Sequence, residues 1–360
     1  MHLPYTPVVD VARLSRVYGH TVATYKFYWF VSIINLVCTN PGRQTFSFNE
    51  IVAGMIAEAW YPIHYFRLSF GKSDSLEMAI LKIQELLGIP VDAEKRDVVA
   101  SILENAGRPE IRRCMNVFTL NVPYWFLSPW IPGIKKQQQM EQLSRKGVNN
   151  CPYAISGKDI FIHGPWRDYI AGNALILKDF TFWSLAEFVQ KRNPNVPDIP
   201  SKLVKPIRRG SLSRQHRFWD KYIEHFGSVQ CIYTNVSMDK AQYDLDHFIP
   251  WSFVVHDQLW NLLPANPSIN SSKSDNIPPL DCFLEPMAVL QHEALRVNYE
   301  SNPSDKNLED YLVFRCSVRE LVDLPADRFL SLFKDAFAPM AQTATNMGFA
   351  PWANLPVHVR

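Results

Sequence analysis

The chain has no cysteine pair at metal-ligand or redox spacing. Its six cysteines, Cys38, Cys114, Cys151, Cys231, Cys282 and Cys316, include no CxxC. That argues against a zinc knuckle or a disulfide framework and for a reduced, intracellular protein. There is no Walker-A loop and no GxGxxG following a strand, which weakens ATPase and dinucleotide-binding readings. The most apolar run, residues 27–38 (FYWFVSIINLVC), falls short of the roughly 20 residues a bilayer span needs, so no membrane association is expected. Residues 1–10 show no basic segment followed by an apolar stretch, so no signal peptide is expected. The chain therefore reads as soluble and cytoplasmic. Charge of one sign is scarce too. With 37 Lys and Arg against 35 Asp and Glu, the net charge is only +2. A nucleic-acid binder of this composition must gather its cations locally. No internal repeat is visible.

What is present is ordinary for a folded protein. Hydrophobic residues reach 47% and charged residues 20% of 360, enough to bury a sizeable core in two or three domains. The first part reads as helical. Residues 25–37 are apolar almost all round, which suits a helix central to a core. Residues 48–65 follow, with Ser47 as a cap. Residues 73–87 end at Gly88 and Pro90, and 91–105 and 108–118 read as shorter helices. Residues 121–133, with three prolines, and the Gln-rich 137–142 read as loop or linker. Residues 159–163 and 174–177 read as strands, and 182–192 as a helix. Three prolines between 193 and 200 suggest a boundary.

Residues 201–219 form the one sharp charge cluster. They hold Lys202, Lys205, Arg208, Arg209, Arg214 and Arg217 with His216, and no acid. An isolated run of this kind is as often a solvated surface as a contact. Its position just before the segment described next makes it a candidate phosphate track.

That segment is 243–278, YDLDHFIPWSFVVHDQLWNLLPANPSINSSKSDNIP. Residues 245–251 read as a short apolar strand bearing Asp246 and His247. Residues 229–234 read as a second strand, with 235–242 as the turn of a hairpin. Asn266-Pro267 fits a helix cap followed by a first-turn proline, and Asn270 and Lys273 share one face of the helix that follows. The order is strand, strand, helix.

Asp246-His247, Asn261, Asn270 and Lys273, in the phrases DHFIPWSF, LWNLLP and NSSKS, resemble the HNH, or ββα-metal, nucleases. Within that family they resemble the HNH domain of RNA-guided nucleases, whose third motif residue is also Asn. The likeness covers about residues 228–278. It implies that Asp246 and Asn270 are oxygen ligands of a divalent metal, Mg²⁺ with Mn²⁺ as a substitute. It implies that His247 is the general base and that Asn261 ties the loop orienting it. Lys273 would offset charge on the phosphate. Many family members brace this fold with a CxxC zinc site; here Thr234 stands where a partner of Cys231 would be. No structural zinc is expected, and Trp251, Phe253, Trp260 and Leu262 are the candidate core that replaces it. His256, His163 and His225 lack a motif counterpart and read as loop or satisfied histidines. Trp60, Trp125 and Trp130 read as core.

The expected architecture is α+β: a mainly helical N-terminal domain (1–135), a mixed connecting region (136–200) and a nuclease domain (201–350). Helices at 282–297, 306–318 and 326–346 would wrap its ββα core. The expected function is hydrolysis of phosphodiester bonds in duplex DNA, by analogy in restriction or phage defence. An RNase or nickase with the same site, or a non-cutting nucleic-acid-binding regulator, are the alternatives. A protein partner or self-association through the N-terminal domain stays open.

Overall fold

The computed structural model describes residues 3–72, 74–204 and 210–353. The chain divides into two compact units: Met1–Pro194 with Ile199–Lys205, and Asn195–Asp198 with Pro206–Arg360.

The first unit is mostly helical. Its elements are α1 (Val11–Leu14), α2 (Tyr25–Thr39), β1 (Thr45–Ser47), α3 (Phe48–His64), α4 (Leu76–Leu87), α5 (Lys95–Asn105), α6 (Pro109–Thr119), α7 (Val122–Trp125), α8 (Gln137–Arg145), β2 (Tyr153–Ser156), β3 (Asp159–Ile162), α9 (Gly164–Gly172), α10 (Ala174–Gln190) and α11 (Ile199–Lys202). Helix α2 is buried on nearly every side, from Phe27 to Ile34 without a break, because a helix apolar all round is stable only inside a core. It packs on α3 and α10. Helix α3 starts at a reciprocal cap: Ser47 accepts from the Glu50 amide while the Glu50 carboxylate accepts from the Ser47 amide, which satisfies two otherwise orphaned donors. Where α2 and α3 meet, a side chain on Gly54 would lie 2.2 Å from Ser32 Oγ, so only glycine allows the approach.

Two expectations fail here. Residues 174–177 open helix α10 rather than forming a strand. A short apolar run does not distinguish the two, and this one continues into Phe180, Thr181, Leu185 and Val189, buried at helical spacing. The Gln-rich stretch is helix α8, not a linker. Glutamine is a good helix former, and Met140 and Ser144 bury one face against β2. The three strands form one antiparallel sheet in the order β1-β3-β2. Residues expected to connect two domains thus share a sheet with β1.

The second unit continues with α12 (Ser213–Phe226), β4 (Val229–Gln230), β5 (Ser237–Met238), β6 (Asp244–His247), α13 (Trp251–Val254), β7 (Leu262–Ala265), α14 (Pro267–Lys273), α15 (Leu280–Ser301), a 3-10 stretch (Lys306–Phe314), α16 (Val318–Asp323) and α17 (Ala326–Asn346). The ββα frame is β6, β7 and α14, with Asp246 opposite Leu263 and His247 opposite Leu262. The expected hairpin of 229–234 with 245–251 does not form. Val229–Gln230 pairs instead with Ser237–Met238, and the apolar residues after His247 turn into α13. The helices supply the core. Phe314, Phe329 and Phe337 each stack on Phe333, with Trp260 and Phe248 edge-on to Phe337. Trp251, Phe253, Trp260 and Leu262 are all buried. Among the described residues no helix is long and apolar enough to cross a membrane.

Candidate nuclease site

Strand β6 brings Asp246 and His247 to one end of the frame, and α14 runs back towards them. Helix α14 begins where the Asn266 side chain accepts the Ser268 amide, with Pro267 in its first turn, as the sequence pattern predicts. Its last residue, Lys273, has no exposed surface. The ammonium donates to Asp246 Oδ1 at 2.9 Å and to the His247 carbonyl at 2.7 Å. Asp246 Oδ2 accepts from the Tyr233 hydroxyl at 2.7 Å. Burial and the Asp246 charge push the Tyr233 phenol well above its usual range, so it stays a donor. Lys273 therefore does not stand ready for an incoming phosphate; it neutralises the buried carboxylate.

His247 is oriented from two directions. Asn261 is buried and clamps the backbone just beyond it. Its side-chain oxygen accepts from the Ile249 amide and its side-chain nitrogen donates to the Ile249 carbonyl, both at 2.9 Å. Its own carbonyl accepts from the Phe248 amide. On the ring side, His247 Nε2 lies 2.9 Å from Asp257 Oδ1. A carboxylate only accepts, so Nε2 carries the proton and Nδ1 keeps the lone pair. The Asp257 carbonyl is held by Gln215 Nε2 at 2.6 Å.

Asp257 has no counterpart in the sequence reading, which stopped at its neighbour His256. That histidine takes up a loop role, its Nδ1 accepting from the Gln258 amide. The signal for Asp257 was structural. Val255 closes α13 in the left-handed region at φ 59°, which costs a β-branched residue about 1–2 kcal/mol and turns the chain towards His247. Tyr233 and Gln291 were missed as well. Gln291 is buried and donates to the Leu259 and Leu262 carbonyls, bracing the entry to β7.

Asn270 is half-buried on α14, one turn before Lys273. Its carboxamide has no hydrogen-bond partner among the described residues. Asp246 and Asn270 supply hard oxygen donors, the type a divalent cation such as Mg²⁺ takes. Among the described residues no group of three or more His, Cys, Asp or Glu is placed to hold an ion. A cation held by one carboxylate and one amide keeps positions for water and phosphate. The buried Cys231 thiol accepts from the Asn266 amide at 3.5 Å, and the 231–235 turn is closed by backbone bonds from Thr234 and Asn235 to the Cys231 carbonyl.

The basic cluster is less of a track than its letters imply. Lys202 is buried in α11 and offers solvent no charge, so its assignment to phosphate contact does not hold. Arg214 forks onto Asp310, with contacts of 3.3 and 2.7 Å. Arg217 is exposed on α12. Lys205, Arg208 and Arg209 lie outside the described residues.

With this geometry in view, residues 231–279 match the family model described as HNH endonuclease. The matched stretch spans β5, the ββα frame and Tyr233, Asp246, His247, Asp257, Asn261, Asn270 and Lys273; this part of the chain is similar to HNH endonuclease domains. No curated protein and no solved structure was found to match the chain.

Proposed function

We propose that the second unit is a metal-dependent endonuclease that hydrolyses phosphodiester bonds of duplex DNA. The observation that carries this is the His247 imidazole, held on Nε2 by Asp257 at 2.9 Å, on the residue that follows Asp246 in β6. Nδ1 of His247 takes the proton of the attacking water, and the bond from phosphorus to the leaving oxygen breaks as the new one forms. Asp257 stabilises the imidazolium this creates. Asn261 keeps the backbone at Phe248 and Ile249 fixed, so the ring does not swing away. Tyr233 and Lys273 hold the Asp246 carboxylate in one orientation. Asp246 and Asn270 would hold a divalent ion, Mg²⁺ or Mn²⁺, which would supply charge relief on the phosphate and the leaving oxygen. Arg217, with Lys205, Arg208 and Arg209 before it in the chain, would position the backbone without reading sequence.

The test is purified full-length protein with Mg²⁺ on duplex DNA, single-stranded DNA and RNA of one sequence. Cleavage of duplex DNA that is lost in His247→Ala and with chelator is expected. Cutting that survives His247→Ala would remove His247 from its role, and cutting of RNA alone would replace the substrate. The biological role we infer is restriction or phage defence in the cytoplasm. Expression of wild type should lower phage plating by at least tenfold relative to His247→Ala; equal plating would overturn that role.

A further inference from the structure

The first unit carries a cleft that the nuclease reading does not use. It opens between the segment joining α1 to α2 and the segment running from α7 to Ile134. One lobe, of 650 Å³, is lined by Arg13, Arg16, His20 and Lys26 over an apolar floor that includes Val17 and Ile131. A second lobe, of 420 Å³, shares His20, Lys26 and Ser128 with the first and adds Tyr25, Asn121 and Trp125. Sites for small molecules typically run from roughly 300 to 1,000 Å³, with few charges on mostly apolar walls.

The charge of this cleft is one-sided by sequence. Residues 11–49 and 111–140, which supply both walls, contain no Asp or Glu. Arg13 is spoken for: it pairs with Asp10 at 2.8 Å and donates to the Trp130 carbonyl at 3.0 Å. Arg16, His20 and Lys26 have no carboxylate partner among the described residues. Arg16 reaches only the Ala12 carbonyl and Lys26 only the Val17 carbonyl, each at 3.1 Å. Asp74, which binds Thr24 in the same segment, is buried, and its oxygens accept from Thr24 and the Leu76 amide. Two cations without a carboxylate partner, Arg16 and Lys26, with the His20 imidazole beside them around one lobe, suit a ligand carrying two or more negative charges. Trp125 borders the other lobe. Unlike the buried Trp60 and Trp130, it is half-exposed, and an indole is the kind of flat aromatic surface on which a base stacks.

We propose that this cleft binds a nucleotide, with its phosphate on Arg16, His20 and Lys26 and its base on Trp125. Inorganic phosphate alone would leave most of the volume unfilled, and a nucleoside alone would leave the cations unpaired.

Binding is measured on the full chain in chelator, by calorimetry, with AMP, GMP, CMP and UMP as probes and with inorganic phosphate and adenosine as controls. At least one nucleotide is expected to bind with a Kd below about 100 μM, and both controls at least tenfold more weakly. Arg16→Glu, at an exposed position, should weaken binding by about tenfold or more with Tm unchanged. Trp125→Ala should do the same, and Trp125→Phe should restore most of the affinity. No saturation by any of the four at about 1 mM overturns the proposal. So does binding that both Arg16→Glu and Trp125→Ala leave intact. No cleavage is read, and His247→Ala should bind as wild type does, so this result and the nuclease test fail separately.

Discussion

A carboxylate beside an imidazole fixes which ring nitrogen holds the proton, and Asp257 does this for His247. Asp257→Asn keeps the shape but lets a side-chain amide donate to Nε2, which would move the ring proton to Nδ1. The expected result is a fall in kcat of about 10²- to 10⁴-fold, within the range for losing an oriented base, with KM little changed. Steady-state rates on a defined duplex measure it; a variant with wild-type kcat would make Asp257 a purely structural residue. Lys273 belongs to the same scale. Lys273→Met leaves Asp246 buried with only Tyr233 for support. Breaking one side of a buried ion pair costs about 3–5 kcal/mol, read as a lower urea midpoint. Adding Asp246→Asn to that variant should recover much of the loss, because the two residues share one interaction.

At the scale of elements, local pattern and chain connectivity differ in how far they can be read. Helices α2, α3 and α14 were legible because each carries its own instructions: a continuous apolar surface, a Ser47 cap, an Asn266-Pro267 start. The pairing of β6 was not. Adjacent sequence pointed to 229–234 as its partner, whereas the actual partner, Leu262–Ala265, lies beyond a helix and a loop and includes Pro264. Singling out Asp246, His247, Asn261, Asn270 and Lys273 did not depend on that pairing, because they were picked out by their order and flanking phrases along the chain. Asp257 was illegible for the opposite reason: it reaches His247 only through the turn at Val255.

Helix α3 also carries a pH dependence. His64 lies in its last turn, against Trp60 at 4.3 Å between ring centres. Its Nε2 is buried without a hydrogen-bond partner among the described residues, and burial pushes its pKa down from 6.5 to about 4. The unfolded chain binds a proton there at pH values where the folded chain does not. His64 therefore contributes its full stability above pH 6.5, and that contribution shrinks as pH falls towards about 4. Thermal melts between these limits should show a declining Tm, and His64→Phe should flatten the decline.

Across the whole molecule, the small excess of positive charge limits how nucleic acid is held. Lys202 is buried and Arg214 is paired, so Arg217, Lys205, Arg208 and Arg209 remain as the cluster's proposed phosphate contacts. About four such contacts predict a plot of log affinity against log salt with a slope no steeper than roughly −4. Binding of catalytically inactive His247→Ala to a duplex at several salt concentrations gives the slope. A much steeper value would require a second basic surface.

The ammonium of Lys273 against Asp246 has a further consequence for how the protein matures. In small domains built around a metal, the unloaded polypeptide stays unfolded until its ion arrives. Here a lysine already pairs with the carboxylate, and aromatic side chains fill the core around the frame. Acquisition of tertiary structure is thereby uncoupled from ion supply. Chelator should abolish cleavage, leave the melting curve nearly unchanged, and be reversed at once by returning the ion, with no refolding lag.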